Sequence, residues 1–218
     1  VVAGETREDD RVRLRPISPD ALTRELAQRI LGLPGWVRVG IDGADAARPG
    51  ELADSLVDLV QVGGRAAIRV RAADQLRPAS LRWERGREDP DSFYLDWLDV
   101  DGLRREVLDP LGPGGNGRVR PQRWDADADR ASRAGFVDVP PGGVLLLSGP
   151  LLLGGDLPLD LTVHLELSAA ALARRTPVEL AWTLPAYERY ADEVMPARIA
   201  DVVVRMNDPR HPAIVDFA

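Results

Sequence analysis

An α/β fold, a doubly wound parallel sheet with helices on both faces, is predicted by three features of the 218-residue chain. Short apolar strands alternate with segments that carry apolar residues at helical spacing. Between Trp36 and Leu56 a hydrophobic strand runs into glycine, then a short loop of small residues, then an amphipathic helix. The length is enough to bury a sizeable core, as one domain or a domain with a small appendage.

The elements are expected in this order. Val1–Asp10 is polar and reads as a frayed end. "RVRLRPI" reads as a short strand or extended arm. Ser18–Gly35 reads as a helix: Ser18 caps it, Pro19 suits the first turn, and Leu22, Leu26, Ile30 and Leu31 form its stripe. Residues 1–35 are therefore set apart as an arm and helix, and 36–218 as the main domain. There, Trp36–Asp42 is a strand, Glu51–Val62 a helix with Leu52, Leu56, Val57 and Leu59 inward, and Ala66–Ala72 a strand. Asp91–Leu108 reads as a helix with a break near Asp99–Gly102. A Gly/Pro-rich connection follows, with a hairpin expected around Arg118–Trp124. Val144–Ser148 and Leu161–Leu167 are strands, Ser168–Arg175 a helix, Val178–Val194 mostly helix with a break at Pro185, and Ala200–Met206 the final strand.

Composition narrows the function. There is no cysteine, so disulfides and thiolate metal sites are excluded, and the two histidines support neither a zinc centre nor a conventional triad. No metal site is expected. His164 reads as a strand residue. The net charge of −7 argues against non-specific nucleic-acid binding. The apolar run Gly142–Gly155 is too short to span a bilayer and is broken by Gly149 and Pro150. With no basic-then-apolar opening, a cytoplasmic location without membrane contact is the expectation. All 28 basic residues are arginine, so no lysine ammonium exists to hold a transferring phosphate.

Four stretches together resemble the bacterial uridine kinase-like branch of the P-loop nucleoside kinases. They are "VGIDGADAARPGELADSL", the long "RVRAADQLRPASLRWERGREDPDSFYLDWLDVDGLRREVLDPLGPGG", "GGVLLLSGPLLL" and "YERYADEVMPARIADVVVRMNDPRHPAIV". The likeness runs from about Trp36 to Val215, and the second stretch is the most specific. It implies a P-loop nucleoside kinase-type sheet with a lid-like region at about 176–198. It also implies a phosphate loop at Gly43, Arg48 and Gly50.

That loop departs from the family's pattern. Gly43 opens it, but Arg48, Pro49 and Gly50 stand where glycine, lysine and a hydroxyl residue are expected. Arg48 adds a side chain where backbone amides should wrap phosphate. Pro49 supplies neither charge nor N–H. Gly50 has no hydroxyl for Mg²⁺. On the acceptor side, anchored at Arg77 and Pro78, Ala73 takes the place of the base, with Asp74 one residue on as a catalytic candidate. Ser148 replaces the acidic residue on the Mg²⁺ side. The resemblance thus implies a kinase fold with its phosphate chemistry dismantled, acting through a ligand or partner. No cofactor is expected on that reading. The alternative is an active ATP- and Mg²⁺-dependent kinase with an arginine-based phosphate site. A plain structural or homo-oligomeric module is a third reading.

Ligand-binding candidates are Asp74, Arg77, Trp83, Arg85, Arg87, Tyr94 and Arg189. Trp83 and Tyr94 offer faces for a planar ligand, and Arg85 and Arg87 offer charge for an anion. Phe93 and Trp97 read as inward packing. Arg174, Arg175, Arg189 and Arg198 fall where the family has lid arginines, with surface pairing to Glu179, Glu188 or Asp192 as the plainer reading. Asp125, Asp127 and Asp129 read as a solvated acidic loop, since the glycine and distal Glu of a calcium loop are absent. Arg48 is expected to fold inward onto Asp45 or Asp74, or else to point to solvent; the inward position is favoured.

Overall fold

The computed structural model describes residues 12–217; the segment expected to fray, Val1–Asp10, lies outside the described residues. Seven strands form one sheet: β1 Val12–Pro16, β2 Val37–Asp42, β3 Ala67–Arg71, β4 Val144–Gly149, β5 Leu161–Glu166, β6 Val202–Arg205 and β7 Ala213–Phe217. Their order is β1-β7-β6-β5-β2-β4-β3. The five strands from β6 to β3 run parallel. β7 is antiparallel to β6, and β1 is antiparallel to β7. The expected parallel sheet forms, with two antiparallel strands added at one edge; of these, Ala213–Phe217 is unexpected.

β2 lies at the centre because its residues pack on both faces. Val37, Val39 and Ile41 point into one core, with Leu56 and Val60 of α2 (Pro49–Val62) and Leu26 and Ile30 of α1 (Pro19–Gly32). The alternate residues, Arg38, Gly40 and Asp42, face the other side. Arg38 makes a bidentate pair with Asp160 there, at 2.9 and 2.8 Å. A second core on that side joins Leu145 and Leu147 of β4 to Leu103, Val107 and Leu108.

α1 forms as expected: Ser18 accepts from the Ala21 N–H at 3.3 Å, and Pro19 occupies the first turn. Its end is held by Arg65, which donates to the carbonyls of Ile30, Leu33, Gly35 and Gly142. β1 pairs into the sheet and α1 packs into the shared core, so the arm and helix are built onto the same sheet as the rest. In α2 the deepest residues are Ala53, Leu56 and Val60; Leu52, Val57 and Leu59 pack around them.

The stretch after β3 breaks into α3 Ala79–Arg82, α4 Pro90–Leu95 and α5 Val100–Leu103, the last continuing as a wide turn to Leu108. The break comes at Leu98, which bridges to Leu76, earlier than the sequence suggests. The hairpin expected around Arg118–Trp124 does not form. Instead Arg118–Val119 pairs with Val137–Asp138, and Trp124–Asp125 with Arg130–Ala131. Asp129 in that second turn is not merely solvated: it accepts from the Ala79 N–H at 2.8 Å and from Trp124 Nε1 at 3.2 Å. After β5 come α6 Ala169–Arg175, α7 Leu184–Glu193 and α8 Pro196–Ile199, with Pro185 in the first turn of α7. Among the described residues no helix is long and apolar enough to cross a membrane.

Candidate functional site

The loop from Gly43 to Arg48 leaves the C-terminal end of the central strand β2 and starts α2, at the edge where open α/β sheets form ligand crevices. Gly43 is required by close approach: a Cβ there would lie 3.0 Å from the Leu165 Cβ. The loop then tightens on itself. The Ala47 N–H donates to the Ala44 carbonyl at 2.8 Å, and the Arg48 N–H to the Asp45 carbonyl at 2.9 Å. Two amides of the expected anion nest are spent within the loop, and Pro49 has none to offer.

Arg48 is where the favoured expectation fails. Its backbone is left-handed, φ 60° and ψ 48°, the conformation a glycine would take freely. That geometry turns the side chain outward, 58% exposed, onto Glu51 at 3.4 Å. It pairs with neither Asp45 nor Asp74. The loop presents an acid, Asp45, where phosphate would need a cation, and burial raises its carboxyl pKa from the usual value.

A cavity of about 450 Å³ opens beside the loop, between the ends of β3 and β4 and the helices α4 and α7. Leu76, Phe93, Trp97 and Leu98 give it an apolar wall. Gly50, Arg69, Arg71 and Ser148 give it a polar end. Arg69 donates from Nε to the Ser148 hydroxyl at 3.4 Å, and its Nη1 pairs with Asp54 on α2. A Cβ on Gly50 would run into the same guanidinium. Arg71 pairs with Asp74 through Nε and Nη2 at 2.7 and 2.6 Å.

Mg²⁺, which the resemblance to the nucleoside kinases would imply, does not fit these donors. It needs several oxygen ligands in octahedral array. Gly50 supplies none, the Ser148 hydroxyl faces a guanidinium, and that fixed positive charge would repel a divalent ion. Among the described residues no cluster of acidic or histidine side chains could hold a metal.

On the other side of the loop a buried network was missed by sequence reasoning. Asp42 accepts from the Leu152 N–H at 2.9 Å and the Tyr190 hydroxyl at 3.0 Å, and its Oδ2 lies 2.7 Å from His164 Nδ1. The Tyr190 oxygen in turn accepts from the Leu153 N–H at 2.9 Å. Burial and then the Asp42 charge push the Tyr190 phenol well above its usual range, which keeps it a donor. The only sequence signal was an acid closing an apolar strand, "VGIDG".

The remaining candidates are scattered. Tyr94 lines the cavity and donates to Glu193 at 3.2 Å. Arg189 does not reach into the cavity: it pairs with Asp91 at 2.9 Å and Glu193 at 2.8 Å, and stacks on Tyr94. Arg77 pairs with Asp96 at 3.4 Å. Trp83 lies under Arg82 and Arg87 outside the cavity, with Arg85 and Arg87 exposed. Arg175 binds the carbonyls of Met206 and Asn207. Phe93 packs edge-on against Trp97, Trp182 and Tyr187 at 5.2–5.7 Å, so residues 182–187 pack onto α4 through aromatics.

No family model matches the chain, and no curated protein matches it. Solved structures share its fold. A Bacillus stearothermophilus protein described as a possible uridine kinase aligns with TM-score 0.66 at 19% identity, over 83% of this chain and 96% of that one. A Silicibacter sp. TM1040 protein described as a proposed fructose transport system kinase aligns with TM-score 0.56 at 23% identity, over 81% and 92%. The chain shares the fold of these two structures.

Proposed function

We propose that this chain is a uridine kinase-like protein of the P-loop fold that binds a small organic ligand and no longer transfers phosphate. The observation that carries the reading is the collapsed loop. Its Ala47 and Arg48 amides bond within the loop, its arginine points to solvent, and its residue 50 has no hydroxyl. Phosphoryl transfer depends on positioning and charge neutralisation, and this loop supplies little of either. The acceptor-side position of the base is Ala73, and Asp74 is committed to Arg71. The cavity beside the loop nevertheless persists, with an apolar wall and a polar end, as small-molecule sites have.

One observation favours a second reading, an active kinase with an arginine-based phosphate site: Arg69 and Arg71 both line the cavity. The two readings part on one assay. Uridine, cytidine and fructose are offered with ATP–Mg²⁺, and product is followed by mass. The non-transferring reading expects no phosphorylated product above the uncatalysed background. Turnover at an ordinary kinase rate, of order 1–100 per second, would reject it.

A further inference from the structure

We infer that the Arg69 guanidinium is the resident cation of this cleft, and that the cleft takes a monoanionic ligand, a carboxylate on an apolar body, without any metal. The inference rests on the reading above that the loop does not hold a triphosphate. Arg69 stands between Gly50 and Ser148, the two positions that would flank a divalent ion in this fold. Gly50 makes room for it, since any Cβ there would meet the guanidinium. The side chain is fastened at two points, to Ser148 and to Asp54, and is therefore preorganised.

A guanidinium carries five N–H donors. Arg69 spends donors on Nε and Nη1, and Arg71 on Nε and Nη2. Among the described residues, Nη2 of Arg69 and Nη1 of Arg71 have no hydrogen-bond partner. The two residues are two apart on β3, so they share a face about 7 Å apart, and both line the cavity. Two donors of this kind, on neighbouring same-face residues that both line the cavity, suit the two oxygens of a carboxylate.

Charge limits the ligand to one negative unit. Asp54 and Asp74 already balance the two arginines, and Asp45 lines the same cavity. A ligand anion meets the two guanidinium groups only by sharing their donors with Asp54 and Asp74, and each further negative charge, as on a phosphate or polyphosphate, adds repulsion from Asp45. The rest of the ligand must be apolar, because it meets Leu76, Phe93, Trp97 and Leu98.

The test uses the full chain, with 3-phenylpropionate and its neutral amide, 3-phenylpropanamide, as probes. Each is titrated calorimetrically in EDTA and again in millimolar Mg²⁺. The acid is expected to bind about tenfold more tightly than the amide, equally with and without Mg²⁺. Arg69→Gln should erase the preference, and Asp54→Asn, at an exposed position, should strengthen acid binding, because the amide oxygen can still accept from Arg69 while the competing negative charge is gone. Equal binding of acid and amide, absence of binding, a need for Mg²⁺, or a preference that survives Arg69→Gln would overturn the inference. If Arg69→Gln does not fold, Asp54→Asn decides, and unchanged or weaker acid binding overturns it. ATP–Mg²⁺ titrated into the same sample separates the two levels. Saturable ATP binding overturns the underlying reading and this inference with it, whereas silence toward ATP without an acid preference overturns this inference alone.

Discussion

The Tyr190 hydroxyl donates to the Asp42 carboxylate at 3.0 Å, and so ties α7 to the end of the central strand. The contact is buried, and each partner also serves a backbone amide, of Leu153 and Leu152 respectively. Tyr190→Phe removes two bonds, the one donated to Asp42 and the one accepted from the Leu153 N–H, and leaves that buried amide without its acceptor. A loss of about 1–3 kcal/mol in urea unfolding is expected. Amide hydrogen exchange across residues 184–193 should quicken in the same variant. Unchanged exchange there would show that the hydroxyl does not hold α7.

Arg48→Gly should stabilise the protein. The left-handed backbone at Arg48 costs an arginine roughly 1–2 kcal/mol, and glycine's greater freedom when unfolded returns part of the gain. The exposed pair with Glu51 contributes little. A net gain of about 0.5–1 kcal/mol is expected by denaturant titration. A loss would mean that the side chain holds something its solvent-facing position does not reveal.

Arg65→Ala should be costly. The guanidinium reaches four carbonyls, two of them in the last turn of α1 and just beyond it, where orphan acceptors need partners. Several charge-assisted bonds are lost together, so about 2–3 kcal/mol is expected. An effect within experimental error would contradict the role assigned to it as the clasp between α1 and the turn before β4.

The Asp45 carboxyl is raised by burial, which fixes the sign of a pH effect. Its folded-state value exceeds its unfolded value, so the native state binds more protons between the two. Stability therefore falls as pH rises through that window, and at neutral pH the charged form is a liability. Asp45→Asn should raise the Tm at pH 7 and leave it nearly unchanged at pH 3, below both values. An equal shift at both pH values would point to packing instead of charge.

Much of the fold was legible in the sequence because its signals are local. Ser18 and Pro19 announce α1, and the apolar strand before Gly43 announces β2. β7 was not legible: five residues interrupted by Asp216 carry no period of their own, and their strand character comes from pairing with β1 and β6. The ribbon between Arg118–Val119 and Val137–Asp138 depends on a distant partner in a stretch full of turn residues. The loop's departures at Pro49 and Gly50 could be read because those residues lack an N–H and a hydroxyl. The direction of Arg48 could not, since it follows from a backbone angle. Nor could Arg69, whose place depends on β3 lying beside β4, or Asp42 and Tyr190, which meet across 148 positions of sequence.

The central claim is that this P-loop fold no longer holds nucleotide triphosphate through Mg²⁺, and calorimetric titration of ATP–Mg²⁺ into the full chain tests it most directly. The expected result is no saturable heat up to millimolar ATP, with the same trace when Mg²⁺ is replaced by EDTA. Micromolar binding that disappears on chelation would contradict it, because the collapsed loop, Gly50 and the Arg69 guanidinium would then have to make way for a metal-bound nucleotide.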